Sequence, residues 1–357
     1  MLKSFRYLLF PFSLLYGFGV WLRNKLYDWK ILKSATFNFP IICVGNLAVG
    51  GTGKTPMTEF LIEELKHRWV TATLSRGYKR KTKGFAIASE RTTALEIGDE
   101  PMQFHRKFPD ITVAVGEERL VAIPQILHSK PGTQVIILDD AFQHRAVNAG
   151  LNIVLTEYRN LYTRDHMMPT GDLRDVVSSA NRAQVIVVTK CPGSMTTAEK
   201  EKIREELDPG PDQRLFFTET VYGDPYHLFT GNKGEINTAS DILLLCGIAN
   251  PEPLKEYLEI NTHSFDMLRY PDHHIFTMDD LKDILAYFKK SETSDSMLVT
   301  TEKDAVRLEK FRVELENFPI YVLPVKHRFL FEQGGEFTGI IHRFIESFHI
   351  GEGDKLL

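Results

Sequence analysis

Cysteine is scarce in this chain. Cys43, Cys191 and Cys246 are widely spaced along 357 residues, and two of them sit inside apolar runs. That excludes a disulfide framework and a cysteine-built zinc site, and leaves reduced, buried thiols as the reading. Excess charge of either sign is also missing: the net charge is −4 with 25% charged residues. Without a basic domain or stripe there is no electrostatic footprint for nucleic acid, which is not expected as a partner. Internal repeats and low-complexity tracts are absent. So is a long membrane-spanning run. Tyr7 to Leu22 carries no charge but is shorter than the ~20 apolar residues a spanning helix needs. Lys3 and Arg6 precede it and Arg23, Lys25, Lys30 and Lys33 follow, so its flanks give no inside–outside asymmetry. An interfacial helix held by aromatic side chains and anionic lipid is expected, with packing against the protein itself as the alternative. The bulky Val20-Trp21-Leu22 argues against a cleaved signal peptide. The remaining composition, 43% hydrophobic, allows one large or two moderate domains with a real core.

What the chain does have is a phosphate cradle. Ile41-Ile42-Cys43-Val44 is a buried-strand pattern, and Gly45 to Gly53 is a glycine-rich turn that ends in Lys54-Thr55. Met57, Phe60, Leu61 and Leu65 then mark one face of a helix. In such a turn Gly50, Gly51, Thr52 and Gly53 let backbone N–H groups converge on phosphate oxygens, and the helix N-terminus adds positive potential. Lys54 reaches the β/γ-phosphates and Thr55 can ligate Mg²⁺. Ala48 stands where the strict motif has its first glycine, so the match is to the relaxed form. A second feature supports it. Val135-Ile136-Ile137-Leu138-Asp139-Asp140 is an apolar strand ending in two carboxylates, the pattern that holds Mg²⁺ directly or through water.

Short apolar runs alternate with helical patterns: Val70–Leu74, Ile111–Val115, Val135–Leu138, Leu151–Thr156 and Val185–Thr189. This predicts βαβ units and a mostly parallel sheet flanked by helices, an α/β fold of the P-loop NTPase type. Turn residues cluster at Asp208-Pro209-Gly210-Pro211. The expected organisation is an N-terminal apolar helix over residues 1–36, a kinase core over 37–212 and connector strands over 213–235. A smaller α/β lobe follows over 236–330, and a C-terminal helix and tail over 331–357. The last helix could pack on either lobe.

Several motifs in order then match a family. Gly45-Asn46 with Gly-Gly-Thr-Gly-Lys-Thr-Pro, Ser75-Arg76-Gly77-Tyr78, Gly98-Asp99-Glu100-Pro101, Leu138-Asp139-Asp140-Ala141-Phe142-Gln143-His144-Arg145 and Thr301-Glu302-Lys303-Asp304-Ala305 resemble the tetraacyldisaccharide 4′-kinases of lipid A synthesis. The resemblance spans nearly the whole chain. It implies Mg²⁺-assisted phosphoryl transfer from ATP to the 4′-hydroxyl of an acylated glucosamine disaccharide 1-phosphate, at the cytoplasmic face of the bacterial inner membrane. A monomer is expected.

By that resemblance Asp99 is the base facing the sugar hydroxyl, with His273 of Asp272-His273-His274-Ile275-Phe276 tuning or relaying it. Asp139 and Asp140 hold Mg²⁺ or its waters. Arg174 serves the nucleotide. Asp175 stands where the family usually has Glu, and the lost methylene turns direct metal ligation toward water-mediated ligation. Asn46, Arg76, Tyr78, Arg119, Gln143 and His144 are expected to line the sugar site, beside the basic run Lys79, Arg80, Lys81 and Lys83. From the residues alone, Asp99 is simply a helix cap, Asp175 a solvated carboxylate opening a helix, and the basic run a solvated loop. A two-histidine metal site at His273-His274 is not expected, because adjacent side chains point apart. The rival reading is a membrane-attached P-loop NTPase switch or maturation factor. It would want a guanine-reading Asn-Lys-x-Asp, and Thr189-Lys190-Cys191-Pro192 stands in that place. A scaffold that binds nucleotide without turnover is the other alternative.

Overall fold

The computed structural model describes residues 6–291 and 296–349; Lys3, among the basic flanking residues, lies outside them. Two short strands, β1 (Ala35–Thr36) and β7 (Val147–Asn148), pair in parallel near the N-terminal helix. Among the described residues a sheet of nine strands carries the architecture. In spatial order it runs β16 (Val325–Phe329), β10 (Arg214–Tyr222), β9 (Val185–Thr189), β8 (Leu151–Glu157), β2 (Ile41–Asn46), β6 (Val135–Asp139), β3 (Thr71–Ser75), β5 (Thr112–Val115) and β4 (Ala86–Ile87). Only the edge strands β16 and β4 run antiparallel to their neighbours. Alternation along β2 explains why both sheet faces are covered. Ile41 and Cys43 point into one core with Ile123 and Ile126, whereas Ile42 and Val44 point into the other with Met57, Leu61 and Leu65.

A second sheet, in the order β11 (Tyr226–His227), β15 (Ile320–Leu323), β14 (Ser296–Thr301), β12 (Asp241–Cys246) and β13 (Ser264–Arg269), builds the smaller lobe. The observed sheet membership differs from the expected boundaries. The stretch read as a connector begins with β10, which pairs in parallel with β9 as a full member of the large sheet. The chain also returns to that sheet after the small lobe, through β16, one residue after β15. The C-terminal helix, Gly334–His349, packs on the large lobe: Phe337, Ile341 and Ile345 share a core with Met57 and Leu61. All three cysteines are buried free thiols, and burial pushes the Cys43 thiol up to about 12.

The lobes are joined by charge as well as by chain. Lys107 Nζ lies 2.7 Å from Glu59, on the helix after the cradle, and 2.5 Å from Glu302, on the small-lobe helix Glu302–Leu308. Gln103 Nε2 donates to Glu59 at 2.8 Å, so neither carboxylate is left buried without a donor. At the N-terminus, Phe10–Asp28 is helical, but its polarity is inverted. Ser13 and Asn24 are buried, while Phe12, Leu14, Leu15 and Phe18 are exposed. No described helix is long and apolar enough to cross a membrane.

Candidate active site

The cradle forms at the carboxyl end of β2, the central strand, where α/β sheets open a crevice for ligands. Gly53, at φ 84°, turns the chain into the helix Lys54–Leu65, a conformation that costs glycine nothing. The first-turn N–H groups of such a helix have no intrahelical partner and are free for phosphate. Three side chains fix the loop: Thr189 Oγ1 donates to the Thr52 carbonyl at 2.9 Å, Asn46 Nδ2 donates to Thr52 Oγ1 at 2.9 Å, and His327 Nε2 donates to the Gly53 carbonyl at 2.9 Å.

Asp139 and Asp140 close the adjacent strand β6 and behave differently. Asp139 is buried, accepts long bonds from Thr58 and Ser75, and is raised to about 6 by burial and by the charges of Asp140 and Glu100. Burial would raise Asp140 as well, but Lys54 and Arg174 outweigh it and hold that carboxyl below its usual range. Lys54 Nζ stands 3.8 Å from Asp140, and Arg174 binds the same carboxylate while donating to Asn46 Oδ1 at 2.6 Å. Asp140 sits at φ 48°, which places its side chain over the cradle by way of a backbone conformation rare outside glycine, asparagine and aspartate. A hydroxyl at Thr55 and two carboxylates whose negative charge is under-compensated at Asp139 suit Mg²⁺, which keeps waters and phosphate oxygens as its other ligands.

Asp99 opens the helix Asp99–Lys107. His273 Nδ1 lies 2.9 Å from Asp99 Oδ2, and Arg307 Nη2 donates to the same oxygen at 2.6 Å. Lys303 Nζ lies 3.2 Å from His273 Nε2. Arg307 Nη2 also lies 3.2 Å from His273 Nδ1. Arg307 is held in turn by Asp304, whose other oxygen accepts from the Gly247 N–H and Thr301 Oγ1. Burial alone would raise Asp99, but the bonds from His273 and Arg307 outweigh it and hold the carboxyl at about 2. Both contacts fall on Oδ2. His273, at φ 64°, comes from the small lobe, so this constellation exists only where the lobes meet. Glu100, the next residue after Asp99, is close enough to the cradle to act on the charges of Lys54 and Asp139.

The structure corrects several expectations. Asp175 does not face the cradle. Its Oδ1 accepts from Asn24, Ser179 and the Val176 N–H, and its Oδ2 pairs with Arg182 at 3.1 Å, so it docks the N-terminal helix. Asp175→Ala is expected to destabilise the fold by about 3 kcal/mol, because it strands Arg182, while leaving the Mg²⁺ dependence of turnover unchanged; chemical denaturation and a Mg²⁺ titration check this. Asn46 is fully buried with both ends of its amide engaged in the cradle, which removes it from the sugar. Gln143 Nε2 is bound to the Asn46 carbonyl. Arg119 is buried at 3% exposure and lies among Asp139, Arg76 and Asp140, so it balances the carboxylates from beneath. Arg80 leaves the basic surface for Glu117 and the Gly84 carbonyl. Arg76 and Tyr78 are exposed at the cleft edge, Tyr78 with its ring against His273 at 5.8 Å, and His144 is half-buried.

The sequence reading missed Glu100, Lys303, Arg307 and His327. Lys303 and Arg307 carried a signal: four apart on a helix that Thr301 caps, they share a face. His327 carried none, being one residue in an ordinary edge strand.

A P-loop on the central strand, two carboxylates on its neighbour and a carboxylate–histidine pair across the crevice define a P-loop phosphotransferase with a hydroxyl acceptor. Comparison with known proteins narrows the class. A family model described as Tetraacyldisaccharide-1-P 4′-kinase matches residues 5–345. The tetraacyldisaccharide 4′-kinase of Bacteroides fragilis YCH46 is 46% identical over 341 residues, covering 92% of this chain and 90% of its own. That of Flavobacterium johnsoniae is 46% identical over 333 residues, with coverages of 92% and 94%. The crystal structure of LpxK from Aquifex aeolicus in complex with ATP superposes with a TM-score of 0.74 at 28% identity, over 97% of this chain and all of the other. The chain belongs to the tetraacyldisaccharide 4′-kinase family.

Proposed function

We propose that the protein transfers the γ-phosphoryl group of ATP to the 4′-hydroxyl of a tetraacylated glucosamine disaccharide 1-phosphate, with Asp99 as the base. The observation that carries this is the Asp99–His273–Arg307 constellation beside a complete phosphate cradle. The cradle N–H groups and Lys54 bind the β/γ-phosphates. Thr55, Asp139 and Asp140 would hold Mg²⁺, which would supply charge neutralisation at the triphosphate. Asp99 Oδ1 accepts the hydrogen bond of the sugar hydroxyl and orients its oxygen in line with the γ-phosphorus. As the new O–P bond forms and the bond to ADP breaks, the hydroxyl becomes acidic, and its proton passes to Asp99. A carboxyl held near 2 suffices, because the transfer is late in a loose transition state.

The N-terminal helix supports work at a membrane surface. Its polar side chains bond inward, Ser13 to Thr170 at 2.7 Å and Asn24 to Asp175 at 2.7 Å, and its aromatic and leucine side chains face out, as an interfacial helix requires. The exposed Arg76 and Lys79 add attraction of about 1 kcal/mol each toward anionic headgroups. On this reading the enzyme works as a monomer at the cytoplasmic face of the inner membrane. Incubation with γ-³²P-ATP and the detergent-dispersed disaccharide 1-phosphate is expected to label the lipid at the 4′-position. Phosphate release without labelled lipid would instead support the NTPase-switch reading.

A further inference from the structure

The last turn of the cradle rests on a side chain from the far end of the chain. His327 lies on β16, two hundred and seventy-four residues from Gly53, and β16 is an edge strand of the large sheet that packs against the helix after the cradle through Phe329 and Phe60, with ring centroids 5.2 Å apart. Its imidazole is buried and bonded on both sides: Nε2 to the Gly53 carbonyl at 2.9 Å, and Nδ1 to Thr218 Oγ1 at 3.0 Å. Thr218 is fully buried on β10. Of the two neutral tautomers only Nε2–H, with the threonine hydroxyl donating to Nδ1, satisfies both bonds. Burial, with Lys190 as the charged neighbour, lowers the group to about 4, which keeps it neutral at physiological pH.

The Gly53 carbonyl is also the acceptor for the Met57 N–H, the first rung of the helix. Holding that oxygen therefore fixes the peptide plane whose other side is the Lys54 N–H. The contact is close: a methyl group added at Gly53 would meet the imidazole at 2.9 Å. The ring thus supplies both a donor and a floor.

We propose that His327 is a positioning residue for the nucleotide, which sets the orientation of the Gly53–Lys54 peptide and with it the N–H groups that receive the phosphates. It rests on the reading of the cradle as the ATP site and is independent of the role given to Asp99. The test uses the full chain in detergent, with the dissociation constant of a non-hydrolysable ATP analogue and the steady-state constants for ATP and lipid measured on each variant. His327→Ala is expected to weaken the analogue and raise KM for ATP about tenfold, the loss of one buried hydrogen bond with its partner stranded, with KM for lipid unchanged. His327→Gln, which restores a donor near the Nε2 position, is expected to recover nucleotide affinity to within about threefold of wild type. Thr218→Val keeps the ring but frees its tautomer, and is expected to weaken the analogue by about threefold; it carries the test if the alanine variant does not fold. Unchanged analogue affinity in His327→Ala, or a glutamine variant as weak as the alanine one, would overturn the proposal. Lys54→Met serves as control: if it too binds the analogue as wild type does, the cradle itself has been misread, and the fault lies there.

Discussion

Asp99→Asn is expected to lower kcat by roughly 10²–10⁴-fold, the range for removing a positioned general base, while the affinity for ATP stays near wild type. The asparagine amide has nearly the same shape, so Arg307 and His273 lose a charge to bind but no volume. Its Oδ1 can still accept the sugar hydroxyl's hydrogen bond but cannot take the proton. Because Asp99 is held at about 2, it is ionised at every pH at which the protein works, and the acid limb of the pH–rate profile belongs elsewhere. Asp139, raised to about 6, is the candidate. Below that pH it carries a proton and competes poorly for Mg²⁺; above it the carboxylate is free to act. The apparent Mg²⁺ affinity is therefore expected to fall as pH drops through 6, in wild type and Asp99→Asn alike. Steady-state kinetics with a Mg²⁺ titration at several pH values reads both effects. A matching loss of ATP binding in Asp99→Asn would move the residue from the hydroxyl to the nucleotide or the fold.

Lys54→Met is expected to lose both binding and chemistry. Lys54 is half-buried beside Asp140, and burial lowers its pKa while Asp140 opposes that. It is thus a preorganised cation, and removing one such group costs about 10²–10³-fold in turnover. Methionine keeps the length and removes the charge. It also removes one of the cations that balance Asp140, leaving Arg174 and Arg119, so the carboxylate pair and the triphosphate repel each other more strongly. KM for ATP should rise with the fall in kcat, whereas the Asp99 variant changes kcat only. That contrast separates a residue that grips the nucleotide from one that addresses the acceptor.

The parts of this site that were legible from sequence are contiguous. Ile41 to Leu65 encodes strand, turn and helix in one stretch, and Val135 to Asp140 encodes a strand with its carboxylates, because a βα turn is made by neighbours in the chain. The strands at Thr71–Ser75, Thr112–Val115 and Val185–Thr189 lie close to where apolar periodicity placed them. The parts that were not legible join distant segments. Nothing local distinguishes Asp175, which anchors the N-terminal helix, from an acid that opens the metal site, since both are an aspartate after Arg174. Asn46 looked like a sugar ligand because polar residues beside a cradle often are, yet its amide is consumed by Thr52 and Arg174. β10 and β16 looked like connector and small-lobe strands, because sheet membership is decided by which edge is open and not by composition.

By itself, then, the amino-acid order determined the α/β class, the phosphate cradle, the carboxylate strand and, through ordered motifs, the family. Each of these depends on interactions between residues close in the chain. Only the tertiary structure decided what surrounds Asp99. Its partners His273 and Arg307 come from 174 and 208 residues away, and the charge on a carboxylate is set by the groups that surround it in space. The same holds for the floor of the cradle, where a histidine on the returning edge strand supplies the donor that the cradle's own sequence lacks.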